Sequence, residues 1–221
     1  MRVLITKHPP SVQFWEEGEQ IDEGSNIIGI YPGQKFRTAE DRIIVVGAHW
    51  DTTGFTDGYN DNGSGLAAML EIARALTQSR CRLRSTVIFV AFDKEEVGSQ
   101  GSHEFVRSFL VPRFFSGNQQ PEFQGTVLAP SDPSSSPTPG AFILDTILNY
   151  NSTAGSQVVP GAWAEQLASG VSEEIRRGGS RGDFIAVVSR AAADSTLADT
   201  FERHWRRLAG SEGGTGSSAE V

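Results

Sequence analysis

The chain has 221 residues and a formal net charge of −8. This length suffices for one sizeable domain with a real hydrophobic core, and the acidic balance argues against binding to a nucleic-acid backbone, which needs clustered Lys and Arg. The single cysteine, Cys81, excludes an internal disulfide framework and a cysteine-cluster metal site. No stretch reaches the roughly 18 apolar residues of a membrane span, and the first residues have too short an apolar segment for a signal peptide.

Four apolar runs, rich in β-branched and aromatic residues and bounded by turn residues, predict β-strands. They are Asn26–Tyr31, Ile43–Ala48, Thr86–Phe92 and Ala141–Ile147, with a fifth candidate at Phe184–Val188. The runs are almost continuously apolar rather than alternating, which is typical of strands that are covered on both faces of a sheet.

The segment GSGLAAMLEIARALTQ, between the second and third strands, predicts an amphipathic helix. The apolar side chains that recur there at helical spacing are Leu66, Met69, Leu70, Ala73 and Leu76. Two further helices are expected at residues 162–177 and 195–208. A strand, a helix and a strand in this order indicate a right-handed βαβ unit and therefore an α/β fold.

The remaining segments suggest one domain over residues 1–208. A stretch rich in Pro, Ser and Gly at residues 116–140 is expected to be an inserted surface loop within it. The tail at residues 209–221 is expected to be disordered.

Acidic and imidazole side chains occur where the predicted strands end. His49 and Asp51 follow the second strand, the pair Glu95–Glu96 follows the third, and Asp145 lies near the end of the fourth. Asp61 stands just before the predicted helix. Because sites in open α/β sheets form outside the carboxyl ends of the strands, we expect these groups to converge.

Imidazole nitrogen and carboxylate oxygen are ligands that suit zinc. Since carboxylates outnumber imidazoles, a two-metal cluster with a bridging carboxylate is consistent with the pattern. Asp51, two residues after His49 on an extended chain, points to the same side and can hold the imidazole by hydrogen bonding. Of Glu95 and Glu96, one can bind metal while the other serves as a general base.

Each of these residues also has a purely structural interpretation. A His at a strand end is often structural or solvated, and paired glutamates after a strand often form a solvated turn. Asp61 can belong to a turn or cap the following helix. Asp145, inside an apolar strand, is the hardest to dismiss, because an unpaired buried carboxylate is costly.

Four stretches in this order carry a specific family resemblance: VVGAHWDT, GYNDNGSGLAAMLEIARAL, IFVAFDKEEVGSQGS and FILDTI. With the lead-in NIIGIYPG they span residues 25–150, and they resemble the co-catalytic zinc exopeptidases of the MH clan, in the leucyl-aminopeptidase-like family. The resemblance implies a three-layer α/β/α fold with a central mixed, mostly parallel sheet.

The resemblance also implies a role for each site residue. His49 and Asp145 would bind one zinc ion, Glu96 would bind a second, and Asp61 would bridge the two. Glu95 would be the general base, and Asp51 would orient His49.

The family's last zinc ligand, a His beyond the Asp145 equivalent, has no clear counterpart. After Asp145 the chain holds only His204, in an Arg-flanked helical setting expected at the surface, and His103 is expected to be structural as well. We therefore expect the chain to stop before the final segment of the family, to hold one zinc ion tightly, and to be weakly active or inactive.

The predicted function is that of a zinc aminopeptidase, which removes N-terminal residues from peptides through a metal-bound hydroxide. The alternatives are a glutaminyl-peptide cyclotransferase and a non-catalytic binding module of the same fold. The missing signal peptide by itself suggests the cytoplasm or an absent N-terminus, whereas the resemblance implies a secreted or extracytoplasmic protein.

Overall fold

The structure, a computed structural model, describes residues 4–7, 15–16, 19–20, 24–36, 38, 40–79, 82–114, 140–157, 169–190 and 194–211. The chain forms two compact units, residues 1–148 and 149–221. The predicted inserted loop lies outside the described residues except for Gly140, which begins a strand. The single domain over residues 1–208 stays a prediction.

The first unit is built on a five-stranded sheet. The described strands are β1 (Leu4–Lys7), β2 (Trp15–Glu16), β3 (Glu19–Gln20), β4 (Ile27–Tyr31), β5 (Ile44–His49), β6 (Val87–Phe92) and β7 (Gly140–Ile143). The sheet has the order β1-β4-β6-β5-β7, and β2 and β3 pair separately. Strand β5 is parallel to both β6 and β7, whereas β4 is antiparallel to β1 and β6. The sheet is therefore mixed, as predicted.

Helices cover both faces of this sheet. The described helices are α1 (Gly63–Gln78), α2 (Gln100–Glu104), a π-helical segment (Phe105–Leu110), α3 (Val111–Phe114), α4 (Ser169–Arg177) and α5 (Ser195–Ser211). Helix α1 packs through Met69 on one face, and the π-helical segment packs on the other. The predicted α/β/α layering is confirmed in this unit.

The continuous apolar runs supply both halves of the core. In β6, Ile88 and Val90 face the π-helical segment, while Val87 and Phe89 face helix α1. Because every position of β6 is buried, the strand has no polar face. Burial of each large side chain contributes about 1.5–3 kcal/mol. Leu70, predicted to lie on the packed face of α1, is instead exposed, because the buried stripe runs through Met69 one position earlier.

A buried carboxylate joins the start of the two central strands. Asp41, which is 2% exposed, precedes β5, and its two oxygens accept hydrogen bonds from the Thr86 N–H at 2.9 Å and the Thr86 hydroxyl at 2.6 Å. Thr86 precedes β6, so this contact lies at the amino ends of the strands, opposite to the predicted site.

Two strand predictions need correction. The strand predicted at Ala141–Ile147 ends at Ile143, and Asp145 lies in the segment that follows it. It ends there because the Asn62 side chain hydrogen-bonds to the Leu144 carbonyl and the Thr146 N–H. These main-chain groups are then not available to continue the pairing with β5. The candidate strand Phe184–Val188 is irregular, and no described strand pairs with it.

The second unit contains helices α4 and α5 and a bridge between Asn151 and Gly182. The first part of the helix predicted at 162–177 lies outside the described residues, and its remainder is α4. Helix α5 ends at Ser211, three residues into the predicted tail, and residues 212–221 are outside the described part of the chain. None of the described helices is long and apolar enough to cross a membrane.

Candidate metal centre

His49 is the last residue of β5, and its side chain is 4% exposed. Its Nδ1 lies 3.0 Å from the main-chain carbonyl oxygen of Asp51. A carbonyl oxygen can only accept a hydrogen bond, so the neutral ring carries its proton on Nδ1. This tautomer leaves the lone pair of Nε2 free to bind a metal ion.

The Nε2 atom of His49 faces carboxylates from three other segments. It lies 3.1 Å from Asp61 Oδ1, 3.5 Å from Asp145 Oδ1 and 4.0 Å from Glu95 Oε2. The ligand atoms of His49, Asp61 and Asp145 all lie within 4.8 Å of one another. In the part of the chain that the structure describes, no other group of three His, Cys, Asp or Glu side chains comes so close together. The predicted convergence of these three residues is therefore observed.

The donor atoms of this group fit a zinc ion. Asp61 Oδ1 is buried and has no hydrogen-bond partner, and a buried acceptor without a partner costs about 1–3 kcal/mol. It is directed at an imidazole nitrogen and lies beside a second carboxylate, Asp145. A cation that accepts nitrogen and oxygen ligands would satisfy all three groups, and zinc takes this set in proteins.

The electrostatic environment of His49 is set by these neighbours. Burial alone lowers the pKa of His49. The hydrogen bond to the Asp51 carbonyl and the negative charges of the surrounding carboxylates outweigh burial, so the pKa lies above its ordinary value. The site therefore favours positive charge at the position of the ring.

The glutamate pair lies in the turn that follows β6, and Asp51 holds this turn. The carboxylate oxygens of Asp51 accept the N–H groups of Glu95 and Glu96, each at 3.1 Å. The Ser99 hydroxyl donates to Glu95 Oε1 at 3.2 Å, so the other oxygen, Oε2, is the one that faces His49.

Asp51 contacts the His49 ring mainly through its main chain, and its predicted role in orienting the imidazole stays a prediction. The hydrogen bond to Nδ1 comes from the main-chain carbonyl of Asp51, while its carboxylate lies 3.5 Å from Nδ1. The carboxylate is engaged by the two amides of the glutamate turn. Asp51 therefore joins the loop after β5 to the loop after β6.

Glu96 is not part of the group of three. Burial and repulsion by Asp61 raise the pKa of Glu96 above its ordinary value, although His49 and a backbone hydrogen bond from Thr53 act in the opposite direction. Its predicted role as a metal ligand stays a prediction.

Asn62 is a site residue that the sequence analysis did not identify. Its side chain is buried, caps helix α1 by accepting the Gly65 N–H at 3.0 Å, and donates to the Leu144 carbonyl at 2.9 Å. The N-cap of helix α1 is therefore Asn62. The structural interpretation of Asp61 as the helix cap is wrong. An Asn before Gly–Ser–Gly at a helix start is a recognisable capping signal, but the contact with Leu144 has no local sequence signal.

The two other histidines that the sequence analysis considered lie outside this group. His103 is exposed on α2. His204 is exposed on α5, in the second unit, and its Nδ1 lies 2.7 Å from the Thr200 carbonyl oxygen.

Most of the residues of the candidate site lie in a segment that matches a known protein family. Residues 26–119 match the peptidase family M28. This M28 segment contains His49, Asp61 and the glutamate pair, whereas Asp145 follows it in the chain.

Curated relatives and solved structures include aminopeptidases. Aminopeptidase YwaD of Bacillus subtilis is 41% identical over 81 residues, which are 37% of this chain and 17% of the relative. The probable lipoprotein aminopeptidase LpqL of Mycobacterium tuberculosis is 29% identical over 182 residues, 81% of this chain and 32% of the relative. A solved zinc aminopeptidase from Bacillus subtilis, BSAP, is 28% identical with a TM-score of 0.42, and the match covers 61% of this chain and 27% of that chain. The chain thus spans less than a third of the length of each of these proteins.

Proposed function

We propose that this chain is the zinc-binding part of an aminopeptidase that hydrolyses N-terminal residues from peptides. The observation that carries the proposal is the convergence of His49, Asp61 and Asp145 at the carboxyl ends of β5 and β7, beside a segment that matches the M28 peptidases. The aminopeptidase relatives support the reaction class.

Three protein ligands would hold one zinc ion: His49 through Nε2, and Asp61 and Asp145 through their carboxylates. Zinc in such a site acts as a Lewis acid towards a carbonyl group and lowers the pKa of water. Asp61 and Glu96, whose charges repel each other, would serve a second ion, and a second dication would remove that repulsion.

Glu95 is the proposed general base. Its Oε1 is held by the Ser99 hydroxyl, and its Oε2 faces the imidazole of His49. An oxygen in this position can accept a proton from water at the centre and return it to the amine that leaves. The hydrogen bond from the Glu95 N–H to Asp51 fixes the main chain from which this side chain extends.

The proposal is tested on the 221-residue chain by measuring zinc content and hydrolysis of aminoacyl-anilides, in parallel with cyclisation of N-terminal glutaminyl peptides. We expect one tightly bound zinc equivalent that His49→Ala abolishes, and hydrolysis, however slow, as the only turnover. Cyclisation without hydrolysis would instead identify a glutaminyl-peptide cyclotransferase. A chain that binds no zinc at all would be a binding module, and the proposal would fail.

A further inference from the structure

The two carboxylates of the proposed zinc site come from segments far apart in the chain, and a single buried side chain joins these segments. Asp61 precedes helix α1, and Asp145 follows β7. Asn62, the neighbour of Asp61, is 2% exposed. Its amide nitrogen donates to the Leu144 carbonyl at 2.9 Å, across 82 positions of sequence.

The other end of the same side chain completes the connection. The Oδ1 atom of Asn62 accepts the Thr146 N–H at 3.3 Å as well as the Gly65 N–H at 3.0 Å. The two residues that flank Asp145 are therefore both bound to the residue that follows Asp61. This geometry fixes the main chain on each side of one carboxylate relative to the other.

Close packing around Asn62 supports the same contact. A Cβ atom on Gly65 would overlap with the Leu144 carbonyl oxygen and with Asn62 Oδ1. Only glycine lets the first turn of α1 approach Leu144 this closely. Ser64 and Asn60 extend the contact, because they accept the Ile147 N–H at 3.0 Å and the Leu148 N–H at 2.9 Å.

We propose that Asn62 is a positioning residue for the metal centre: it sets the separation of Asp61 and Asp145 and thereby the affinity for zinc. This inference rests on the proposed function, since it requires that these carboxylates bind zinc. Asn62 itself contributes no ligand, because its polar atoms are occupied by Leu144, Thr146 and Gly65. Residues that hold metal ligands in place typically contribute about 10- to 100-fold to metal affinity.

The test compares Asn62→Ser with Asn62→Ala in the 221-residue chain. Serine is a good helix cap and can still accept the Gly65 N–H, but it is too short to reach Leu144. We expect Asn62→Ser to recover the part of the thermal stability that Asn62→Ala loses through the missing helix cap. We also expect both variants to bind zinc about 10- to 100-fold more weakly than the parent chain. Cobalt in place of zinc should show a changed visible absorption spectrum in both.

Two further variants separate positioning from general destabilisation. Gly65→Ala displaces Leu144 by steric overlap and should also weaken zinc binding. Because it keeps Asn62, it tests the inference independently of the variants at residue 62. Thr86→Val removes a buried hydroxyl contact at the opposite ends of the strands, and it should lower stability without changing zinc affinity.

The outcomes distinguish this inference from the proposed function. Zinc binding by the parent chain that depends on His49, together with unchanged affinity and cobalt spectrum in Asn62→Ser, would overturn the positioning role alone. A parent chain without a His49-dependent zinc site would overturn both. Equal weakening of zinc binding by Thr86→Val would show that affinity follows stability, and the inference would again fail.

Discussion

The main-chain N–H of Glu95 donates to Asp51 Oδ1 at 3.1 Å, and this bond crosses from the loop after β6 to the loop after β5. The second oxygen of Asp51 accepts the N–H of Glu96 in the same way. One carboxylate therefore holds the whole glutamate turn, while the carbonyl of the same residue holds His49. The orientation of the imidazole and that of the proposed base depend on one residue.

The first prediction concerns this turn. Asp51→Ala removes both acceptors, so the Glu95 and Glu96 amides should exchange with solvent faster, because they lose their partners. Hydrogen exchange followed by NMR measures the effect directly. Asp57→Ala is the matched control, since Asp57 is an exposed acid in the loop after β5, and it should leave both rates unchanged. Unaltered protection in Asp51→Ala would mean that the two hydrogen bonds do not persist in solution.

The second prediction concerns pH. Because the pKa of His49 lies above its ordinary value, zinc must displace a proton over a wider pH range, and affinity should fall as the pH is lowered. The raised pKa of Glu96 acts in the same direction wherever that carboxylate binds metal. Isothermal titration of zinc at several values between about pH 5.5 and 8 tests this expectation. An affinity that is constant with pH would contradict it.

In the metal-free protein, the contribution of His49 to folding stability should decrease as the pH is raised, whereas zinc affinity increases. A group whose pKa is raised on folding stabilises the folded state below its unfolded pKa, and this contribution is lost as the pH rises through the folded value. The increase in melting temperature caused by zinc should therefore grow from acid to neutral pH. In the metal-free protein, His49→Gln, which cannot titrate, should lose the part of the pH dependence of the melting temperature that His49 causes.

The third prediction separates the two glutamates. In a form of the protein that carries the complete two-zinc site, Glu95→Gln should keep zinc and lower turnover by about 10²- to 10⁴-fold, because it removes only the proposed base. Glu96→Gln should instead weaken binding of a second zinc equivalent. Zinc stoichiometry and anilide hydrolysis, measured on the same preparations, test both. Equal loss of metal in the two variants would show that the roles had been wrongly divided.

The fourth prediction concerns the carboxylate at the other ends of the strands. Asp41→Ala leaves the buried Thr86 N–H and hydroxyl without their partner, so the free energy of unfolding should fall by about 1–3 kcal/mol. Urea denaturation measures this loss. Zinc affinity at a temperature where the variant is folded should not change. Glu40→Ala is the control, since Glu40 forms an exposed ion pair with Lys35 and should matter little.

The sequence by itself determined the layers of the first unit and the residue types that converge at the candidate site. Uninterrupted apolar runs such as VIFVAF require cover on both faces, and α1 and the π-helical segment provide it. His49, Asp61 and Asp145 could be proposed together because carboxyl ends of parallel strands meet at one edge of a sheet. These inferences depend on local pattern and on a general rule of topology, both of which are readable along the chain.

Only the tertiary structure decided how the site is held. Strand β7 ends at Ile143 because Asn62 binds the Leu144 carbonyl, and Asp51 binds the amides of the glutamate turn. Both contacts join a side chain to main-chain atoms of a distant segment. Such bonds leave no periodicity in the sequence, because any polar residue of suitable length can make them once the fold brings a partner near. Pairing of strands is also a tertiary property. Segment 184–188 is as apolar as a strand, but it is irregular and no described strand pairs with it.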